Sequence, residues 1–268
     1  MRPMQAITPR QQDQHFVITG AGTGIGRAIA LRLAAEGARV SLFGRRTEPL
    51  EETRQQIVDA GGSADAIFVA SVDVGDPEAV RRGFADAVTA LGPLRGCIAN
   101  AGIGGPNFPG EDDRFEEILR TNVVGTYQTA RAAQASLVDD GSPRHLVLLS
   151  SILGRIGVPW YTAYCTSKTA VLGLTRSLAM ELADQQIQVN AICPGWVDTE
   201  MAWDGIDGMA KAMKATREEA LAVAMRDVPL GRMSQPEDVA GLVAFLVSPD
   251  ARGITGQGLD INNGAFMV

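Results

Sequence analysis

Short, almost wholly apolar runs alternate along this chain with longer stretches in which apolar residues recur every three or four positions. The runs at 15–20, 38–43, 64–72, 95–99, 144–149 and 188–192 have the length of strands and carry β-branched residues such as Val40, Val69 and Val147. The stretches at 24–36, 47–60, 77–90, 113–137 and 162–183 read as helices, the first with Ile25, Ile29 and Leu33 on its inward face. Asp76, just ahead of Pro77, stands where a helix N-cap belongs.

Strands that are apolar throughout are buried on both faces. With the β–α alternation, this predicts an α/β, Rossmann-type doubly wound parallel sheet of about seven strands, with helices on both faces. Ligands are then expected beyond the C-terminal strand ends. No linker or repeat divides the chain, so a single domain is expected over 15–268, after a loosely ordered extension over 1–14. Residues 196–228 break the rhythm directly after the sixth strand, where they would form a substrate lid.

Composition narrows the function classes. A net charge of −7 argues against a general affinity for nucleic acid. No segment has the apolar length of a membrane span, and the first residues lack a signal-peptide core, so a cytoplasmic protein with no membrane partner is expected. Cys97, Cys165 and Cys193 are too few and too scattered for a disulfide framework or a zinc cage, and no metal site is expected. His15 and His145 open strands, away from the expected ligand edge, and receive no catalytic role.

Two clusters carry candidate chemistry. The first is the turn Thr19-Gly20-Ala21-Gly22-Thr23-Gly24-Ile25-Gly26, between a strand and a helix. Glycines let backbone N–H groups close around a pyrophosphate, and the helix N-terminus adds roughly half a positive charge. The second is Tyr164 and Lys168, four apart and therefore on one helical face. An ammonium about 5 Å from a phenol, at an effective dielectric of about 20, stabilises the phenolate by about 3 kcal/mol, roughly two pKa units. Such a pair can move a proton at neutral pH.

The glycine turn resembles the cofactor loop of the short-chain dehydrogenase/reductase family. The resemblance continues through Asp73-Val74, Asn100-Ala101-Gly102, Asn122, Ser151, Tyr164-x-x-x-Lys168 and Pro194-Gly195, in family order over nearly the whole chain. It implies a catalytic set of Asn122, Ser151, Tyr164 and Lys168. Ser151 would bond the substrate oxygen, and Asn122 would hold a water linked to the lysine. It further implies a nicotinamide cofactor held by Gly20, Thr23, Gly24, Ile25, Gly26, Asp73, Val74, Asn100, Ala101 and Gly102, with Asn100 on the adenosine side. Tyr164, Lys168, Pro194, Gly195, Val197 and Thr199 complete that set, with Thr199 on the carboxamide.

Two departures from the family pattern stand out. Ala99 occupies the first position of the usual Asn-Asn-Ala-Gly, and Asn263-Gly264 replaces a Gly-Gly in the apolar tail. At the end of the second strand Gly44 precedes Arg45 and Arg46. These two read either as a fork for the 2′-phosphate of NADP(H), with NAD(H) still possible, or as solvated residues before the next helix.

The expected reaction interconverts a small-molecule secondary alcohol and a ketone. Gly104–Phe108, residues 155–161, Met201 and Trp203 are candidate walls for that substrate. The alternatives are an NAD-dependent dehydrogenase working oxidatively, a silent cofactor-binding regulator, and an enoyl reductase, which the Tyr/Lys spacing disfavours. The family also implies a homotetramer built on the long helices.

Overall fold

The structure, a computed structural model, describes residues 10–267. Among them seven strands form one parallel sheet in the order β3-β2-β1-β4-β5-β6-β7. They are β1 (His15–Thr19), β2 (Arg39–Gly44), β3 (Ile67–Ser71), β4 (Gly96–Ala99), β5 (Arg144–Leu149), β6 (Ile187–Pro194) and β7 (Gly258–Ile261). The helices are α1 (Gly24–Ala35), α2 (Thr47–Asp59), α3 (Pro77–Leu91), α4 (Phe115–Leu119), α5 (Thr126–Ser136), α6 (Thr162–Glu181), α7 (Glu200–Met213), α8 (Arg217–Met225) and α9 (Pro236–Leu246). The strand order reverses between β1 and β4, which opens a crevice at their carboxyl ends.

Alternation decides which residues face which layer. Phe16, Ile18, Val147 and Leu149 pack with residues of α1, α2 and α9, whereas Val17, Leu146 and Leu148 pack with α3, α5 and α6. Each such fully buried side chain contributes about 1.5–3 kcal/mol. Asp76 caps α3 as expected, accepting from Glu78 N at 2.9 Å.

Three segments differ from expectation. The helix expected over 113–137 is interrupted by a π-helical turn, Arg120–Gly125. There Thr126 Oγ1 donates to Asn122 O at 2.7 Å, and a Cβ on Gly125 would stand 2.7 Å from Val74 Cγ2, so the backbone must run close to the sheet edge. The run at 64–72 begins with a 3₁₀ turn, Ala64–Ala66, before pairing starts at Ile67. Of the extension over 1–14, residues 1–9 lie outside those described, and the remainder is tied down. Gln11 is buried, its Nε2 donates to Val247 O at 3.2 Å, and its backbone N–H donates to Glu36 O at 3.0 Å. Residues 196–228 fold into α7 and α8, whose Ala202, Ile206, Ala210 and Ala220 share a small core with Met233, apart from the two sheet cores.

Candidate active site

The glycine turn runs from β1 into α1 at the switch point. Gly20 and Gly24 have φ of +68° and +51°, a region that side chains disfavour. A Cβ on Gly26 would lie only 2.1 Å from Gly20 O, so that position admits no side chain while the turn keeps this shape. Helix α1 has no side-chain cap and no acid in its first turn, which leaves its N-terminal N–H groups open to an anion. Asn100 braces the turn: its Nδ2 donates to Thr19 O at 2.9 Å, while Thr19 Oγ1 accepts from the backbone N–H groups of Asn100 and Ala101 at 3.1 and 3.0 Å. Asn100, expected on the adenosine side, thus spends its amide on fixing the loop. Thr19 belongs to the glycine motif, but its bracing role has no signal in the sequence alone.

A cleft of about 200 Å³ opens beside this turn. Gly20, Thr23, Arg45, Arg46, Asp73, Val74, Ala101 and Gly102 are among the residues that line it. Asp73 Oδ1 accepts from Gly75 N at 2.9 Å, which fixes the carboxylate at the rim. Arg45 and Arg46 are exposed, and Gly44 lacks the side chain that would stand between them and the cleft. Ile25 packs against the sheet core below. Pro194 ends β6, and Gly195 N donates to Ile261 O at 3.1 Å. Val197 is buried and bridges Ser234, while Thr199 caps α7, with Oγ1 accepting from Ala202 N at 3.4 Å. Thr199 also overhangs the glycine turn, since a Cβ on Gly24 would meet its Cγ2 at 3.0 Å.

Gly26→Ala tests this cradle. Its Cβ would also lie 2.6 Å from Asn100 Nδ2, so two fixed groups must move. NADPH affinity is expected to fall at least tenfold in a fluorescence titration. Overpacking of this kind costs about 1–3 kcal/mol, so Tm falls by several degrees. Unchanged affinity would mean that the turn does not hold the phosphates.

Farther along the same edge, Ser151, Tyr164 and Lys168 come together. Ser150 and Ser151 come directly after β5 and point apart: Ser150 Oγ donates to Lys168 O at 2.8 Å, tying strand to helix, and Ser151 Oγ accepts from Leu153 N at 3.1 Å. The Ser151 hydroxyl also lies close enough to Tyr164 to favour its phenolate. Tyr164 and Lys168 share one face of α6, with Lys168 Nζ 5.5 Å from the Tyr164 ring centre. The expected depression of the phenol by the ammonium does not appear in the protein alone. Burial pushes Tyr164 up to about 12, and the Ser151 hydroxyl only partly offsets it. Burial also pulls Lys168 down to about 8, and its Nζ donates to Leu149 O at 2.8 Å.

Asn122, in the π-helical turn, is buried, and its side chain is fully engaged. Oδ1 accepts from Ile103 N at 2.9 Å, and Nδ2 donates to Ile103 O and Ser167 Oγ at 2.9 and 3.0 Å. It therefore clamps the strand-four loop to α6 one residue before Lys168. Among the candidate walls, Gly104 is adjacent: a Cβ there would meet Met201 Sδ at 3.0 Å and Tyr164 Cε2 at 3.5 Å. Trp203 is not a wall. Its Nε1 donates to Asp198 Oδ1 at 2.7 Å, and the Arg217 guanidinium covers its ring at 5.4 Å.

The family model described as enoyl-(acyl carrier protein) reductase, one of the short-chain dehydrogenase models, matches residues 20–265. The chain belongs to the short-chain dehydrogenase/reductase family. It is an oxidoreductase of that family, acting between hydroxyl and keto groups with a nicotinamide cofactor. The (3R)-3-hydroxyacyl-CoA dehydrogenase of Mus musculus is 34% identical, covering 94% of this chain and 95% of its own. A 3-oxoacyl-(acyl-carrier-protein) reductase of Staphylococcus aureus is 33% identical, covering 94% and 97%. A solved structure of an actinorhodin polyketide ketoreductase variant with NADPH superposes with a TM-score of 0.89 at 31% identity, covering 97% of this chain and 99% of its own. No helix among the described residues is long and apolar enough to cross a membrane.

Proposed function

We propose that this protein is an NADP(H)-preferring ketoreductase that interconverts a secondary alcohol and a ketone, with Tyr164 as the proton-transferring group. The observation that carries this reading is the convergence of Ser151, Tyr164 and Lys168 beside a glycine cradle on one sheet edge. In reduction Tyr164 gives its phenolic proton to the carbonyl oxygen, and Ser151 donates a hydrogen bond to the same oxygen as charge develops there. Lys168 holds the nicotinamide ribose and stabilises the phenolate left on Tyr164, while Asn122 keeps α6 and the strand-four loop in register. A bound nicotinamide would supply the hydride.

A phenol held up by burial suits the reductive direction, because the acid form is then the resting form. The four-residue spacing of Tyr164 and Lys168 supports carbonyl rather than C=C reduction. The enoyl reductase description of the matching family model keeps an enoyl substrate as the second reading. A carbonyl panel and an enoyl thioester, both assayed at 340 nm, separate the two.

NADP(H) preference rests on Arg45 and Arg46 at the cleft, with Gly44 in place of an acid. Arg45→Asp is expected to lower the ratio of kcat/KM for NADPH over NADH by about 10–100-fold, because a bidentate phosphate contact becomes a repulsion. An unchanged ratio would remove the arginine from cofactor choice.

The wider reading is a single cytoplasmic domain over 15–268, in which α7 and α8 close as a lid around their own small core. We also propose a homotetramer. The apolar side chains of Val124, Tyr127 and Met180, exposed on the π-helical turn, α5 and α6, support this packing.

A further inference from the structure

Resting on the ketoreductase reading, we infer that the substrate is an uncharged, ring-bearing ketone, free rather than tethered to a phosphate-rich carrier, and that Phe108 and Trp160 form its aromatic platform. Both rings are left open: Phe108 is 56% and Trp160 60% exposed, their centroids 5.6 Å apart and tilted by 40°. The pair is held there by backbone rather than by side-chain packing. Trp160 has φ +68°, an outlier for a bulky residue and a cost that surrounding structure must sustain. Buried Asn107 does so: its N–H donates to Trp160 O at 2.7 Å, its Oδ1 accepts from Ala163 N at 2.8 Å, and its Nδ2 donates to Asp113 Oδ1 at 3.0 Å. One side chain thus locks the loop carrying Phe108 to the start of α6, at the residue before Tyr164. Backbone strain that presents an exposed indole beside the proton donor fits a surface built to stack on a flat partner.

The charge near this pair excludes the other kind of substrate. Glu111, Asp112, Asp113, Glu116 and Glu117 come soon after Phe108 in the chain, with Arg114 the one basic residue among them. Arg114 is committed, its Nε to Glu117 Oε2 at 2.8 Å and its Nη1 to Gly104 O at 3.2 Å. Gly104 in turn borders Tyr164 and Met201, so this acidic segment flanks the approach to the catalytic group. Across it, α7 adds Glu200 and Asp204, both exposed. A coenzyme A phosphate or an acidic carrier protein would enter against this field, whereas a neutral ketone is indifferent to it.

The test compares kcat/KM with NADPH for 2-tetralone, 2-butanone and acetoacetyl-CoA at low ionic strength. We expect 2-tetralone to exceed both by at least tenfold. Salt should raise the acetoacetyl-CoA value several-fold and leave the 2-tetralone value within twofold, as screening removes only the repulsion. Trp160→Asn keeps a residue that tolerates the left-handed backbone and removes the ring, and Phe108→Ala removes the second ring. Each should lower the 2-tetralone/2-butanone ratio by about three- to tenfold. An acetoacetyl-CoA value above that of 2-tetralone, or an unmoved ratio in both variants, overturns the inference while leaving the ketoreductase reading intact. Failure to turn over any of the three carbonyls overturns both.

Discussion

Replacing Tyr164 by Phe is expected to lower kcat for ketone reduction by roughly 10³-fold, the middle of the range for losing a positioned general acid. NADPH should still bind, because the glycine cradle, Asp73 and Arg45 are untouched, and fluorescence titration would show it. The size of the effect reflects the site's composition. Tyr161 and Cys165 are neighbours in sequence, but Tyr164 is the one that feels the Ser151 hydroxyl and shares its helix face with Lys168. Ser151→Ala alone should cost about 10²-fold, the loss of one oxyanion donor. The double variant should be about as slow as Tyr164→Phe, since both groups act on one oxygen and such effects do not add. Activity within tenfold of wild type in Tyr164→Phe would place the proton source elsewhere, with Tyr161→Phe the next variant to assay.

Six of the seven strands were legible in sequence because they pair in parallel and are mostly apolar, so each reads as a short run, whereas β7, half-buried and carrying Asp260, gave no such run. The glycine turn was legible for a local reason: strand, turn and helix are consecutive. What stayed hidden depends on tertiary partners. Asn122 could be placed on a helix, but the π-helical turn arises from its bonds to Ile103 and Ser167, 19 and 45 residues away. The same holds for Trp203, whose apolar ring suggests a substrate wall until Asp198 and Arg217 are seen on its two sides. Tyr164 shows the limit most clearly. Spacing to Lys168 is a sequence property, but burial is not, and burial raises the phenol in the protein alone. Proximity of charge along a sequence therefore gives the sign of one contribution, not of the net shift.

Acid should unfold this protein through its two histidines. His15 and His145 are both buried, and burial pulls each down to about 4 from an ordinary value of 6.5. For His15 the bond to Gly92 O works in the opposite sense and the charge of Arg39 in the same sense; for His145 the charge of Arg95 adds to burial. The geometry agrees: His15 Nδ1 lies 2.7 Å from Gly92 O and Nε2 2.7 Å from Ser41 Oγ, a neutral ring with one donor and one acceptor position in use. His145 Nδ1 has no partner among the described residues. Because the folded pKa lies below the unfolded one, the unfolded chain binds more protons between pH 6.5 and about 4. Stability is therefore fully present above 6.5 and falls as pH drops through that window. Each residue contributes on the order of 3 kcal/mol across it, at about 1.4 kcal/mol per pH unit. Together they amount to much of the 5–15 kcal/mol that holds a typical domain folded. Urea unfolding measured at pH 7.5, 6 and 5 should show the midpoint dropping steeply. His145→Gln, which carries no titrating group, should start lower at pH 7.5 and show about half the slope. A wild-type midpoint that stays flat from pH 7 to 5 would mean that both rings reach water before they are protonated.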